Sequence, residues 1–208
     1  MTLRMLFLVA VNRDADFDRA EPLAQKAQAL WESLGHRRNA YIGLMDRASC
    51  WIAQRRYEEA ATALQACEHV AHQEHYATGH ITASWQLGRA FIKLRQADAA
   101  LAAFRRCVRD SWQHSRLAYV ADALVLTPGG LALTGRTEDA ARLHGFAVAH
   151  WQSQFGPFYR DLERDTCRTR RLLLHRLGPL RLEALRLQGA QLTLAEGVAL
   201  ALGDSAAP

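Results

Sequence analysis

The sequence predicts an all-α protein: an α-solenoid of antiparallel helix pairs, about forty residues per pair, closed by a C-terminal helical cap. Three observations carry that expectation. The chain repeats itself at a fixed spacing, each repeat holds two apolar runs of helical period split by a short polar break, and no segment alternates as a half-buried strand would. β-branched residues are also sparse, which argues against a sheet.

The repeat is read by sliding the chain on itself. "RRYEEAATALQAC" at 55–67 falls on "RQADAALAAFRRC" at 95–107 and then on "GRTEDAARLHGFA" at 135–147. Ala60, Ala100 and Ala140 coincide, as do Leu64, Phe104 and His144, and Cys67, Cys107 and Ala147. Upstream, Trp51, Phe91 and Leu131 coincide, each preceded by a small residue, Cys50, Ala90 or Gly130. One step back, Phe17 stands opposite Tyr57 and Ala20 opposite Ala60. The 208 residues thus read as a single repeat domain with units at 1–35, 36–75, 76–115 and 116–155 and a cap at 156–203.

Element by element, the apolar period and its polar breaks predict helices over 2–12, 16–34, 38–54, 57–73, 76–94, 97–113, 116–133, 137–154, 158–177, 180–188 and 194–202. The breaks at 55–57, 95–97 and 135–137 carry arginine or glycine, which suit a helix C-terminus. "LTPGG" at 126–130 interrupts its helix: Pro128 removes a hydrogen bond, and Gly129 and Gly130 each lower helix propensity by about 1 kcal/mol. A hinge or pocket is one reading; a kink tolerated because neighbours pack it is the one preferred. Gly156-Pro157 and Gly178-Pro179 mark the change from array to cap. Thr193 with Glu196 three residues later is a capping box, so the last helix has the firmest start. A stack needs such a cap because its final unit otherwise leaves an apolar face in water.

Composition narrows the function classes. Half the residues are apolar and the formal charge is +5. Arginine, spread over the whole length, supplies nearly all the positive charge, which reads as compositional habit and argues against a nucleic-acid footprint. The apolar start "MLFLVAV" is too short to span a membrane and lacks a cleavage site, so the expectation is a cytoplasmic protein with no membrane partner. The four cysteines show no metal spacing. Cys50, Cys67 and Cys107 occupy small positions of the repeat and read as close-packing residues, while Cys167 lies outside it.

Within the unit, "WQLGRAFIKLRQADAALAAFRRC" resembles the tetratricopeptide repeat, with Leu87, Gly88, Ala90, Phe91, Ala100, Phe104 and Cys107 on that family's signature positions. The usual period of that family is 34 residues, so a forty-residue unit implies helices longer by about a turn. A second resemblance lies in "GRTEDAARLHGFAVAHWQSQFG" with the closing phrase "GAQLTLAEGVALAL". It is similar to the C-terminal helical repeat region of large bacterial signal-transduction ATPases and transcriptional activators, with His144 and Gly197 replacing the expected leucine and alanine. The resemblance implies a bacterial sensor or partner-binding arm, without the ATPase: no phosphate-binding loop is present in the sequence, and no convincing helix-turn-helix.

Chemistry is scarce. His69, His72, His75 and His80 with Glu68 and Glu74 invite a zinc hypothesis, but successive steps of three rotate around a helix, and a solvated helix end explains the run better. No nucleophile elbow is present, so no enzyme, cofactor or metal is expected. The arginines of 160–188 flank a leucine stripe and read as a solvated face. The most informative constellation is Trp85, Arg89 and Lys93, one stripe on the first helix of its unit, matched one unit earlier by Met45, Ser49 and Ala53 and one later by Val125, Gly129 and Leu133. In tetratricopeptide arrays first helices line the concave surface, so Trp85, Arg89, Lys93, Met45 and Ser49 are the candidate partner-binding residues for an acidic protein or peptide. The rival expectation is a small effector enclosed by apolar walls.

Overall fold

The computed structural model describes residues 2–204. Ten α-helices and no strand are present among them: α1 Leu3–Val9, α2 Phe17–Ser33, α3 Arg37–Ala53, α4 Tyr57–Gln73, α5 Ala77–Lys93, α6 Ala97–Gln113, α7 Leu117–Leu133, α8 Thr137–Phe155, α9 Arg160–Gly189 and α10 Leu194–Leu202. The all-α repeat of antiparallel pairs is therefore as the sequence predicts, and α4, α6 and α10 begin and end at the predicted residues. The chain divides into two compact units, Met1–Leu94 and Arg95–Pro208.

The forty-residue sequence period is, in three dimensions, a twenty-residue period: a 17-residue helix and a three-residue turn, repeated from α2 to α7. One turn geometry explains the regularity. The residue after each helical C-cap is left-handed: Gly35, Arg55, His75, Arg95, Ser115 and Gly135 have φ of 71°, 67°, 50°, 60°, 52° and 89°. Around Gly35 the N–H of His36 donates to the Trp31 carbonyl at 2.9 Å, and that of Gly35 to Glu32 at 3.0 Å. These two bonds define a Schellman cap, and they recur at Arg55, His75, Ser115 and Gly135. The side-chain contact that accompanies the cap is present too, as Trp31 against His36 and Arg56 over Trp51. Such a turn reverses the chain in the same way each time, so consecutive helices come out antiparallel.

In the first unit α2 packs on α3, α3 on α4 and α4 on α5, and α3 also touches α5. The first helices of successive pairs are thus neighbours and form an inner layer. At its start, Phe7, Ala10, Ala20, Ala24 and Cys50 make a small core. The predicted helix 2–12 is shorter than expected. It passes into a π-helical turn, Ala10–Asp14, and stops at left-handed Ala15, after which Asp16 caps α2 by accepting from the Arg19 N–H at 3.0 Å.

In the second unit α6, α7, α8 and α9 pack in sequence, α7 also touches α9, and α10 folds back onto α6, α7 and α8. This is the predicted cap. The capping box is present: Thr193 Oγ1 accepts from the Glu196 N–H at 3.3 Å, and Glu196 accepts from the Thr193 N–H at 2.7 Å. Arg105 Nε donates to the Ala201 carbonyl at 3.1 Å, fixing the far end of α10. Gly178, at φ 72°, breaks α9 where expected.

"LTPGG" corrects one expectation, because α7 runs through it without interruption. The Thr127 hydroxyl donates to the Ala123 carbonyl at 2.7 Å, and the missing side chain of Gly130 admits the backbone of α6, since a Cβ there would stand 3.2 Å from Leu101 Cα. Packing outweighs the weak intrinsic propensity of the stretch. Gly145 and Gly189 do the same at the α8–α9 crossing: a Cβ on either would strike the backbone carbonyl of Arg186 or Arg142.

Cys50, Cys67 and Cys107 are buried, the role read from the repeat. Burial pushes the Cys50 and Cys67 thiols up to about 12. Cys167 is exposed. No helix among the described residues is long and apolar enough to cross a membrane.

Candidate partner-binding site

The inner-layer helices α3 and α5 of the first unit carry the candidate residues. Trp85, Arg89 and Lys93 are one turn apart on α5, and each is half-buried. The Arg89 guanidinium lies over the Trp85 ring at 5.1 Å, so the predicted aromatic and cation form a stack. Trp85 Nε1 is buried without a hydrogen-bond partner among the described residues. The arrangement offers a planar cation on an apolar platform, which suits a carboxylate next to an apolar side chain.

The matching stripe on α3 is only partly open. Met45 is buried at 5% exposure, while Ser49 is half-buried with its hydroxyl donated to the Asp46 carbonyl at 2.7 Å. A peptide on α5 would therefore meet Ser49 at most at its edge, and Met45 acts as packing. The matching stripe on α7 of the second unit departs further from the sequence expectation. Val125 is 2% exposed and Gly129 is buried, because α6, α8, α9 and α10 all pack on α7. The matching residues on α7 are therefore packing residues of the second unit.

Sequence reasoning passed over several polar groups. Asp46, beside Met45, is largely buried, which raises its carboxyl to about 6 against the pull of Arg4 at 3.6 Å. On α2, Glu21 accepts from Trp51 Nε1 at 2.6 Å and from Arg56 at 3.3 Å. Burial works to raise its pKa, but the Trp51 and Gln54 hydrogen bonds and the Arg56 charge outweigh it and hold it below the usual carboxylate value. The signal for this cluster was the pairing of Glu21 with Trp51 one helix apart, invisible until the twenty-residue turn sets the register. The histidine run divides. His72 and His80 rings lie 5.9 Å apart, His80 stands 4.0 Å from Glu68, and Glu68 accepts from the buried Ser84 hydroxyl at 2.5 Å, which ties α4 to α5. His75 is the left-handed residue of its turn and is exposed.

Two clefts open beside this inner layer in the first unit. One, about 480 Å³, has apolar walls from Leu3, Leu30, Trp31 and Ile42, with Arg4 and Asn39 at its polar edge. The other, about 380 Å³, lies between α2 and α3 and is lined by Gln28, Arg37, Tyr41 and Leu44 among others.

The second unit holds a buried titratable group. His144, at the position where the resemblance expects leucine, is 2% exposed, and neither ring nitrogen makes a hydrogen bond of normal geometry. Burial first, then the Arg186 charge, push its pKa down to about 4, with Arg170 acting in the same direction and the Thr166 backbone opposing them.

Comparison of the chain with protein-family models, with curated proteins and with solved structures finds no match.

Proposed function

We propose that the chain is a non-catalytic recognition domain that binds an acidic protein or peptide on the inner-layer face of α5, in the manner of the sensor arm of a bacterial regulator. The observation that carries the reading is the Arg89–Trp85 stack with Lys93 one turn on, a rigid cation–aromatic platform on a repeat helix. Binding energy in such sites concentrates in aromatic and arginine anchors, with the surroundings setting shape.

A peptide selected by display against the full chain, then titrated by calorimetry, tests it. Arg89→Glu with Lys93→Glu should cost about 2 to 4 kcal/mol of affinity, given about 1.5 to 3 kcal/mol for a charged hydrogen bond and incomplete additivity. Arg13→Glu with Arg116→Glu, both exposed elsewhere, is the control. Undiminished affinity in the first pair, with an unchanged melting temperature, would sink the proposal.

The apolar walls of the 480 Å³ cleft favour a second reading, a small effector of metabolite size. Leu30→Arg should then abolish a ligand-induced thermal shift while leaving peptide affinity intact.

A further inference from the structure

Helix α9 of the second unit turns a continuous line of cations away from its packed side. That buried side is defined by Leu162, Thr166, Thr169 and Leu173. At about 100° per residue, the line opposite it holds Arg160, Arg164, Arg168, Arg171 and His175, all within a sector of about 80°. All five are exposed. Asp161, Glu163 and Asp165 fall outside the sector, so the outermost line of the helix contains no acid.

Six other arginines of this unit are engaged, whereas Arg95, Arg109, Arg116 and Arg170 are exposed but lie outside the line. Arg136 and Arg142 pair with Asp139, Arg181 with Glu138 and Arg186 with Glu183, while Arg105 and Arg176 donate to backbone carbonyls. Arg160, Arg164, Arg168 and Arg171 make no hydrogen bond or ion pair among the described residues. At about 1.5 Å per residue the line is about 22 Å long, with cations about 4.5 to 6 Å apart along the axis. Repulsion among such close like charges is unfavourable in isolation, and a polyanion removes it.

We infer that the outward line of α9 is an electrostatic docking surface for the phosphate backbone of duplex nucleic acid. Charge complementarity selects this class of partner. Protein interfaces concentrate apolar area at their centre and deplete charge there, whereas the centre of this face is continuous guanidinium with only Cys167 and Leu174 at one edge. An interfacial membrane helix needs an apolar outward face, and here the cations occupy it. Guanidinium forks match phosphate oxygens bidentately, and backbone neutralisation requires no base reading. The surface lies on α9 of the second unit and is independent of the peptide site proposed on α5.

Fluorescence anisotropy of a labelled 20-base-pair duplex of arbitrary sequence, titrated with the full chain, tests this. Four phosphate contacts predict a slope of log K against log salt near −3.6, so affinity should fall about a hundredfold between about 50 and 200 mM salt. Arg164→Gln with Arg168→Gln and Arg171→Gln should reduce the slope to about −1, while the three arginine-to-lysine changes at the same sites should keep it above about −2.5 in magnitude. Arg13→Gln, Arg55→Gln and Arg116→Gln remove the same net charge from outside the line and should leave the slope unchanged. Equal loss in that control, absence of duplex binding at the low salt, or stronger binding to polyglutamate or to phosphatidylserine vesicles than to the duplex would each overturn the inference.

Discussion

Helices α3 and α5 of the first unit and α7 of the second occupy the same register of the repeat, yet they present opposite surfaces. On α5 the stripe is Trp85, Arg89 and Lys93, half-buried and polar at its tips. On α7 the matching Val125 and Gly129 are sealed. The difference is not in the turn, the helix length or the small residues, which the two units share. It comes from the additional helices of the cap: α7 lies under α9 and α10 as well as α6 and α8. Register decides which residues face inward, and the number of layers above decides whether those residues stay half-buried or are sealed.

The contrast is sharpest for a charge at matching positions. Gly129→Lys should destabilise the chain by about 3 to 5 kcal/mol or more, because an ammonium enters a buried position on a helix packed by α6, α8, α9 and α10. The roughly 1 kcal/mol gained in helix propensity does not offset that. Ser49→Lys, at the equivalent place on α3 and near Asp46, should change stability by less than about 1 kcal/mol. Urea unfolding of both variants checks this. Similar costs would mean that α3 is as closed as α7 and would remove the basis for any inner surface in the first unit.

The second unit's closed core also has a pH signature. The folded His144 pKa is about 4, below the ordinary imidazole value of 6.5. Between those values the unfolded chain binds a proton that the folded chain excludes, so protonation favours unfolding. Stability from this site should be intact above about pH 6.5, fall by about 2 kcal/mol by pH 5, and level off below about pH 4. His144→Leu should flatten that fall and raise the melting temperature at pH 5, since leucine leaves no unpaired ring nitrogen. A wild-type profile that is flat from pH 7 to pH 5 would show that the ring is hydrated or bonded in solution.

The sequence made the fold legible to an unusual depth because one local device, the turn, repeats with little noise. Small residues recur at its crossings, and the same spacing placed Ala60, Ala100 and Ala140 in the core, all at 0% exposure. The Arg89–Trp85 stack was legible for the same reason, being a relation between residues one turn apart. The closure of α7 was not, since it depends on α9 and α10 returning from outside the repeat. Nor was the continuity of α7 through Pro128, a stretch of poor propensity that is buried by packing from several helices. The lone histidine in the α8–α9 core was aligned with Leu64 and Phe104, and that alignment already marked it as buried.

The turn itself offers the mildest test and bears on both units. The second position before each new helix requires left-handed backbone, and the chain fills it with glycine at 35 and 135 but with Arg55, His75, Arg95 and Ser115 at the others. A residue with a Cβ pays about 1 kcal/mol to hold that conformation, whereas glycine adopts it freely. His75→Gly should therefore stabilise the first unit by about 0.5 to 1 kcal/mol, even though it loosens the unfolded chain. Gly135→Ala should cost the second unit about 1 kcal/mol; no atom stands within 4 Å of the added Cβ, so the penalty would be conformational and not steric. Opposite signs in the two melting curves are expected. If both variants shift the same way, the six turns are not energetically equivalent and the twenty-residue period is held by helix packing instead of by the caps.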